Sequence, residues 1–239
     1  MAGNIWVLAE TWRGQVSETT YELLALGREL AAELGAPLQA VLLGHQVKSL
    51  TPQLGAAESV VLVDHPALAD PAPELYTHAL AQLVKARQPR CLLVPLTNIS
   101  WEVLGSLPAV LELPCVNFCR DVRAADGKLQ ARCLLYGGKV EATAAVSAAP
   151  ALFGILPGSR PAEKGRGEKA PAVEEVPVEL AEAARVKFKK YLEPEAGDID
   201  ITQQAVLVSV GRGIQSQDNL ALAEELPRRL AAPSADRAR

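Results

Sequence analysis

The stretch Ile5-Trp6-Val7-Leu8-Ala9 is apolar at every position and predicts a β-strand that is buried on both faces. Leu38–Leu43, Ser59–Val63 and Cys91–Val94 are further runs of the same kind along the chain. Strands that are apolar throughout are typical of parallel sheets, because helices cover both faces of such sheets. The predicted fold class is therefore α/β, with a doubly wound parallel sheet of the adenine-nucleotide-binding type.

Amphipathic stretches separate the apolar runs, as the crossovers of a parallel sheet require. Thr19-x-x-Glu22 has the pattern of a capping box, which predicts the start of the first helix at Thr19. Gly35 stands where a residue with positive φ would end that helix. Residues 76–84 carry the apolar face of a second helix, which we expect to end at Gln88.

The pattern changes after residue 115, where the apolar runs become short and are separated by turns. Asn117–Arg123, Leu129–Tyr136 and Lys139–Val146 are interrupted by two glycine-containing turns, which predicts antiparallel hairpins. Ala151–Leu156 is interpreted as a last strand after them. We therefore expect an antiparallel extension of the parallel sheet.

Three segments follow from these patterns. Residues 1–156 are predicted to form the first domain, and residues 157–202 a linker or connector, or a loop lying over a surface, because 157–174 are rich in Pro, Gly, Lys and Glu. Residues 203–239 hold one predicted strand, Ala205–Val210, and one predicted helix, Asn219–Leu230. One strand and one helix cannot bury a sheet, so we expect an incomplete βα unit of a second domain.

Composition excludes several classes of protein. The net charge of −4 over 239 residues gives no basic surface for nucleic acid. No signal peptide is recognised, and the longest apolar run, Ala142–Leu156, contains Pro150 and is too short for a membrane span. The four cysteines form no CxxC pair and no metal set with histidine, so we expect free buried thiols in a cytoplasmic protein.

The clearest candidate for a binding site is Gly211-Arg212-Gly213, between a predicted strand and a predicted helix. Backbone amides can approach a phosphate at such a place. Ser216 replaces the third glycine of the dinucleotide fingerprint, so the spacing leaves open either a phosphate site or a plain turn. Arg212 favours the phosphate site, because a guanidinium can bind a diphosphate through two hydrogen bonds.

Polar residues also follow two predicted strands of the parallel sheet. His45 comes after Gly44, and Ser100 and Trp101 follow the run that ends near Pro95. Ligands of open α/β sheets bind at such strand ends, but a loop histidine and a helix cap with a packed tryptophan are the simpler interpretations. No complete set of catalytic residues is recognised, which favours a carrier or binding subunit over a hydrolase.

Several segments together resemble the alpha subunit of electron-transfer flavoproteins. Val7-Leu8-Ala9-Glu10, residues 40–44 and the hairpin at 135–139 are similar to that family. The strongest similarity is in residues 206–213, which end in Gly-Arg-Gly, and in residues 218–226 after them. The resemblance covers residues 4–226 in matching order.

The resemblance implies a first domain that holds no cofactor and packs against the beta subunit, and a second domain that binds FAD. It implies that Arg212 contacts the cofactor, and that Gly211 and Gly213 let the backbone approach it. The family carries electrons without substrate turnover of its own. An alpha–beta heterodimer takes electrons from acyl-CoA or other dehydrogenases and passes them to a quinone-linked respiratory or other acceptor.

The sequence departs from the family after Leu226. Pro227 and a tail rich in Pro, Ala and Arg replace the further flavin-binding loops, so we expect an incomplete FAD site and an isolated chain that does not retain FAD. Two alternatives stay open. One is a flavin-free or truncated assembly subunit that binds the beta subunit without redox activity. The other is an adenine-nucleotide-binding regulatory domain, with its ligand near Gly44 and Pro95.

Overall fold

The structure is a computed structural model that describes residues 3–70, 72–180, 185–186, 188–192 and 206–231. The chain divides into two compact units, Met1–Phe188 and Lys189–Arg239. The first unit thus continues past residue 156, into the segment that the sequence interprets as a linker or a surface loop. The domain division predicted at residues 156 and 202 stays a prediction.

The elements of the first unit alternate between strands and helices in its first half and are mostly strands afterwards. The helices are α1 (Glu18–Leu34), α2 (Pro73–Arg87) and α3 (Trp101–Leu111). The strands are β1 (Ile5–Ala9), β2 (Thr11–Trp12), β3 (Gln15–Val16), β4 (Leu38–Gly44), β5 (Ser59–Asp64), β6 (Cys91–Pro95), β7 (Cys115–Ala125), β8 (Lys128–Leu135), β9 (Val140–Val146), β10 (Ala151–Ile155) and β11 (Ala172–Glu175).

Nine strands form one sheet in the order β11-β5-β4-β1-β6-β10-β7-β8-β9, and β2 and β3 form a separate short hairpin. The pairs from β11 to β7 are parallel, whereas β7, β8 and β9 pair antiparallel. This arrangement confirms the predicted doubly wound sheet with an antiparallel extension.

The strand predicted at Ala151–Leu156 is confirmed as β10, but β11 follows it along the chain, so β10 is not the last strand. It lies between β6 and β7 and is parallel to both. All five of its residues are buried, so the strand needs a neighbour on each side and a covered face above and below. The hairpin strands β8 and β9, which are partly exposed, therefore lie outside it.

The central strand β1 divides the core into two layers. Ile5 and Val7 point into one layer, where α1 packs, and Trp6 and Leu8 point into the other, where α2 and α3 pack. Side chains of a strand alternate between faces, so a strand that is apolar throughout contributes apolar side chains to both layers of the core. Each fully buried large apolar side chain stabilises the fold by roughly 1.5–3 kcal/mol.

Helix α1 begins earlier than the predicted capping box. Ser17 is its N-cap, and the hydroxyl of Ser17 accepts a hydrogen bond from the backbone N–H of Thr20. Glu22 does not return to the helix start, because its carboxylate accepts a hydrogen bond from the N–H of Gly158 at 2.6 Å. The capping-box prediction was therefore wrong. The predicted end at Gly35 is confirmed, with φ of 59°.

Residues 157–175, here called the crossing segment, lie over the first unit. The segment leaves β10, packs a 3-10 turn (Ala162–Gly165) on α1, and ends as β11 beside β5 at the far edge of the sheet. A Cβ atom on Gly165 would lie 1.7 Å from the carbonyl oxygen of Tyr21, and one on Gly167 would lie 2.1 Å from the carbonyl carbon of Gly55. The segment is thus a surface loop whose glycines allow the backbones to touch.

An ion network fixes the start of the crossing segment. Arg160 donates from Nε to Glu29 of α1 at 2.8 Å and from Nη2 to Asp121 of β7 at 2.7 Å, and Arg123 also donates to Asp121 at 2.7 Å. Burial alone would raise the pKa of Asp121, but the hydrogen bonds and charges of the two arginines outweigh it and lower that pKa. Asp121 is therefore a buried carboxylate whose charge both arginines stabilise.

The second unit contains helix α4 (Leu220–Ala231), which confirms the predicted helix Asn219–Leu230. The predicted strand Ala205–Val210 is wrong where it can be judged: Ala205 lies outside the described residues, and residues 206–210 are irregular. A strand needs a neighbour for its backbone hydrogen bonds, and the described part of the second unit contains no strand that could pair with it. The connector predicted at Asp198–Thr202 also lies outside the described residues.

Replacing Gly165 by alanine tests the contact between the crossing segment and α1. We expect Gly165→Ala to lower the free energy of unfolding by about 1–3 kcal/mol, because the new methyl group would overlap the Tyr21 carbonyl. The control is Gly105→Ala in α3, where a Cβ atom meets nothing within 4 Å and helix propensity should add about 0.5–1 kcal/mol. Urea denaturation measures both, and equal effects would contradict the described packing.

Replacing Asp121 by asparagine tests the ion network. We expect Asp121→Asn to lower the free energy of unfolding by about 2 kcal/mol at neutral pH, because the arginines lose a charged acceptor. The folded-state pKa of Asp121 lies below its unfolded value of about 3.9, so its contribution is present above about pH 4 and is lost as pH falls through the folded pKa. The difference between wild type and variant should therefore shrink at about pH 3. A difference that is constant with pH would contradict this role of the charge.

Candidate functional site

Gly211-Arg212-Gly213 forms a tight turn, as the sequence predicts. The N–H of Ile214 donates to the Gly211 carbonyl at 3.1 Å, and the N–H of Gln215 donates to the Arg212 carbonyl at 3.2 Å. These bonds make one 3-10 turn over Arg212–Ile214. The turn stands ahead of α4, but irregular backbone and not a strand leads into it.

The two glycines leave the backbone of this turn uncovered. A Cβ atom on Gly211 or Gly213 would meet nothing within 4 Å, and the φ of −103° at Gly211 is open to any residue. Arg212 is exposed, and within the described parts of the chain no hydrogen bond or ion pair engages its guanidinium. A free guanidinium beside bare backbone amides has the donors that a diphosphate requires. The residues present therefore fit such a group.

The residues after the turn lock it against the start of α4. Ser216 accepts a hydrogen bond from the N–H of Asp218 at 3.1 Å, and the side-chain amide of Asn219 donates to the Ile214 carbonyl at 2.9 Å. Ser216, which breaks the dinucleotide fingerprint, thus serves as the cap of a second 3-10 turn. The sequence signal for this role is a serine two residues before an aspartate.

The first unit has its own candidate position, where the strand order reverses between β1 and β6. Glu10 directly follows β1, and its side chain is buried there. The hydroxyls of Thr97 and Ser100, which follow β6, both donate to Glu10 Oε2, the latter at 2.9 Å. The hydroxyl of Thr20 in α1 accepts a hydrogen bond from the N–H of Glu10 at 2.8 Å and donates one to the Glu10 carbonyl at 3.1 Å. Sequence reasoning missed this cluster, whose three side chains are up to 90 residues apart.

The Glu10 carboxylate engages the hydroxyl groups of the loop after β6. Ser100 is the N-cap residue of α3 by position, yet its hydroxyl serves the Glu10 carboxylate and makes no cap hydrogen bond. At the neighbouring strand end, a Cβ atom on Gly44 would lie 2.6 Å from Val47 Cγ1, so Val47 occupies that space. The alternative of an adenine-nucleotide ligand near Gly44 and Pro95 stays a prediction.

Trp101 differs from the expected packed residue, because 55% of its surface is exposed. Its ring meets Phe118 edge-to-face, with the centroids 5.6 Å apart. Val103, Leu104 and Leu107 supply the buried face of α3, whereas Trp101 is the exposed first residue of the helix. The predicted packed tryptophan thus contacts Phe118 and remains more than half exposed.

Neither the histidines nor the cysteines of the described residues form a metal site. His45 Nδ1 lies 3.5 Å from Asp64 Oδ1, and the described parts of the chain hold no group of side chains suited to a metal ion. All four thiols are free, as expected, and burial raises the pKa of Cys91 to about 12 and that of Cys115 to about 11. Burial also raises the pKa of Cys119. These thiols are poor nucleophiles at neutral pH.

None of the helices in the described ranges has the length and apolar character that a bilayer crossing requires.

Replacing Glu10 tests the strand-end cluster. We expect Glu10→Ala to lower the free energy of unfolding by about 1–3 kcal/mol, because the buried hydroxyl of Ser100 and the partly buried hydroxyl of Thr97 lose their acceptor. Glu10→Gln is the matched control, since it keeps one oxygen for them and should cost clearly less. Urea denaturation gives the comparison. An alanine variant as stable as the wild type would show that the carboxylate does not hold the strand ends together.

The comparisons with known proteins agree on one family. The family model described as electron transfer flavoprotein domain matches residues 5–181. Electron transfer flavoprotein subunit alpha of Clostridium acetobutylicum is 30% identical, with 93% of this chain and 69% of that protein covered. Protein FixB of Clostridium saccharobutylicum is 29% identical (93% and 68% covered), and the acryloyl-CoA reductase electron transfer subunit beta of Anaerotignum propionicum is 28% identical (93% and 70%). The chain therefore belongs to the electron transfer flavoprotein family.

Proposed function

We propose that this chain is the alpha-type subunit of a heterodimeric electron transfer flavoprotein and carries electrons through FAD. The observation that carries the proposal is the match to the family domain over residues 5–181, which takes in the whole sheet from β1 to β11. The relatives named as alpha subunit and FixB, aligned over 93% of the chain, support the alpha-type assignment.

The geometry of the two units supports a division of labour. In the first unit, the hydroxyls of Thr97 and Ser100 at the strand ends donate to the Glu10 carboxylate and are thus engaged within the protein. In the second unit, the turn around Arg212 is open and its donors are free within the described residues. The cofactor therefore belongs to the second unit, and the first unit is a module for packing against another subunit.

Arg212 would hold FAD by its diphosphate. A guanidinium donates two parallel N–H bonds to phosphate oxygens, and Gly211 and Gly213 expose the backbone amides beside it. FAD, when bound, takes up and releases electrons, which is the chemistry that no side chain of this site supplies. The protein residues would bind and orient the cofactor, and the subunit would work as a carrier without substrate turnover of its own.

The partners in this proposal are a beta-type subunit, a dehydrogenase that donates electrons, and an acceptor linked to quinone or another electron sink. Relatives named as subunits support an assembly with a second chain. The relative from Anaerotignum propionicum is named as an electron transfer subunit of acryloyl-CoA reductase, which supports an acyl-CoA type of donor or acceptor.

Replacing Arg212 tests the proposed FAD site. The chain is co-expressed with a beta-type subunit, the complex is purified, and flavin is counted from its visible spectrum and identified after heat release. We expect a yellow heterodimer that releases FAD, and we expect Arg212→Ala to weaken FAD binding roughly 10- to 100-fold, through loss of a charged hydrogen-bonding group. Arg120→Ala is the matched control, because it removes another exposed arginine and should leave the flavin content unchanged.

The outcomes separate the parts of the proposal. A yellow heterodimer whose Arg212→Ala variant keeps its full flavin content would place the cofactor elsewhere. Failure of the two chains to associate would contradict the proposed heterodimer with a beta-type subunit.

A flavin-free assembly subunit is the second candidate function. The observation that favours it is the irregular backbone of residues 206–210, which leaves the turn at Arg212 without the strand that usually leads into a phosphate site. In the same experiment, a colourless heterodimer of normal stoichiometry would support this candidate and contradict the FAD carrier.

A further inference from the structure

Two of the four free cysteines stand directly opposite each other in the sheet. Cys119 of β7 is the register partner of Cys133 of β8, in an antiparallel pair of strands. Both are buried, with 0% and 4% of their surface exposed, and both belong to the core layer in which α1 packs. Opposite residues of an antiparallel pair have Cα atoms about 4.5 or 5.5 Å apart. A disulfide spans Cα–Cα distances of about 4.4–6.8 Å, so the register gives the spacing that a disulfide needs.

The other two cysteines are not placed for such a bond. Cys91 lies on β6, and β10 separates β6 from β7. Two strand spacings amount to roughly 9.5 Å, which is beyond the reach of a disulfide. Cys115 is also on β7, but it packs against the other core layer. Among the four cysteines, Cys119 and Cys133 are therefore the one pair that shares both a register position and a layer.

We propose that Cys119 and Cys133 form a reversible disulfide when the chain meets hydrogen peroxide. The sulfur of Cys133 attacks one peroxide oxygen and the O–O bond breaks. The thiol proton ends on the leaving hydroxide, which becomes water, and Cys133 is left as a sulfenic acid. The sulfur of Cys119 then attacks the Cys133 sulfur, and its proton leaves with the hydroxyl group as a second water. Two thiols are oxidised and one peroxide is reduced by the same two electrons.

The place of Cys133 in the sheet sets the order of these steps. Burial raises the pKa of Cys119, so this thiol stays protonated at neutral pH and reacts only with an activated sulfur beside it. Cys133 is on β8, and only β9 separates β8 from the edge of the described sheet. Strands near an edge open most often, because fewer contacts hold them. Opening of the β8–β9 hairpin therefore exposes Cys133 to the oxidant, and closing returns its sulfenic acid to Cys119.

The disulfide would form at an irregular place in the ladder. The register between β7 and β8 shifts between Cys119 and Asp121, and Phe118 has a φ of 58°. A bulge leaves a residue of the ladder unpaired, so fewer backbone hydrogen bonds tie the two strands together here. A covalent bond at this position links the antiparallel extension to β7, the strand that pairs with the parallel part of the sheet. The inference goes beyond the proposed function and does not depend on it.

Peroxide treatment of the purified full chain tests the pair. We expect the loss of two of the four free thiols, a Cys119–Cys133 link in peptide mapping by mass spectrometry, and the return of all four thiols after dithiothreitol. Cys115→Ala is the matched control and should still lose two thiols. Cys119→Ala should stop at the sulfenic acid of Cys133, which dimedone labels, because the second sulfur is missing. Circular dichroism checks that each variant is folded.

A glycine in the β8–β9 turn tests the role of hairpin opening. Gly138 has a φ of 86°, which strains any other residue, so Gly138→Ala should loosen the hairpin. We expect this variant to lose its two thiols roughly fivefold faster than the wild type, with the same link. Gly105→Ala in α3 is the control, because a Cβ atom there meets nothing within 4 Å, and its rate should be unchanged.

Several results would overturn the inference. Survival of all four thiols in excess peroxide would do so, as would a link that maps to Cys91 or Cys115, or one found only between two chains. Absence of dimedone label from a folded Cys119→Ala variant would overturn the order of the steps. A Gly138→Ala variant that reacts at the wild-type rate would overturn the opening step. Flavin content is not measured in these experiments, so this inference and the proposed function fail separately.

Discussion

The burial of β1 on both faces is the constraint on which the rest of the first unit depends. Trp6 and Leu8 must be covered on one face of the sheet and Ile5 and Val7 on the other. Helices therefore have to pack on both faces. Crossovers on both sides make the strand order reverse beside β1. Glu10 follows at that reversal, and its buried side chain accepts hydrogen bonds from the hydroxyls of Thr97 and Ser100. The polar cluster around Glu10 thus lies at the reversal of strand order that the burial of β1 on both faces brings about.

The two units use polar groups in opposite ways. The first unit satisfies its strand-end donors internally, through Glu10, Thr97 and Ser100. The turn at Arg212 keeps its donors outward and bare. Internal satisfaction stabilises and closes a site, whereas preorganised free donors suit an anionic ligand. This contrast is why the family assignment and the local geometry together favour a cofactor in the second unit and a packing role for the first.

The sequence was sufficient where local pattern decides structure. The continuous apolar runs predicted the strands of a parallel sheet, and Gly35 marked a helix end. It was insufficient where a distant partner decides. Glu22 looks like a capping residue but binds Gly158, 136 residues away. Glu10 gives no motif until the sheet brings Thr97 to it. The two glycines indicated the turn at Arg212 correctly. The apolar run before it indicated a strand that does not form, since strands depend on neighbours that propensity does not specify.

The crossing segment has a consequence for how the first unit opens. It leaves the middle of the sheet at β10, is held by Arg160 and Gly165 on α1, and ends at the opposite edge beside β5. A sheet usually loosens from its edges inward, because edge strands have the fewest contacts. Here the edge formed by β5 and β11 cannot separate unless the crossing segment also detaches, and that segment is continuous with the central strand β10. The centre and the far edge should therefore exchange their amide hydrogens as one cooperative unit, while the hairpin of β8 and β9 exchanges earlier.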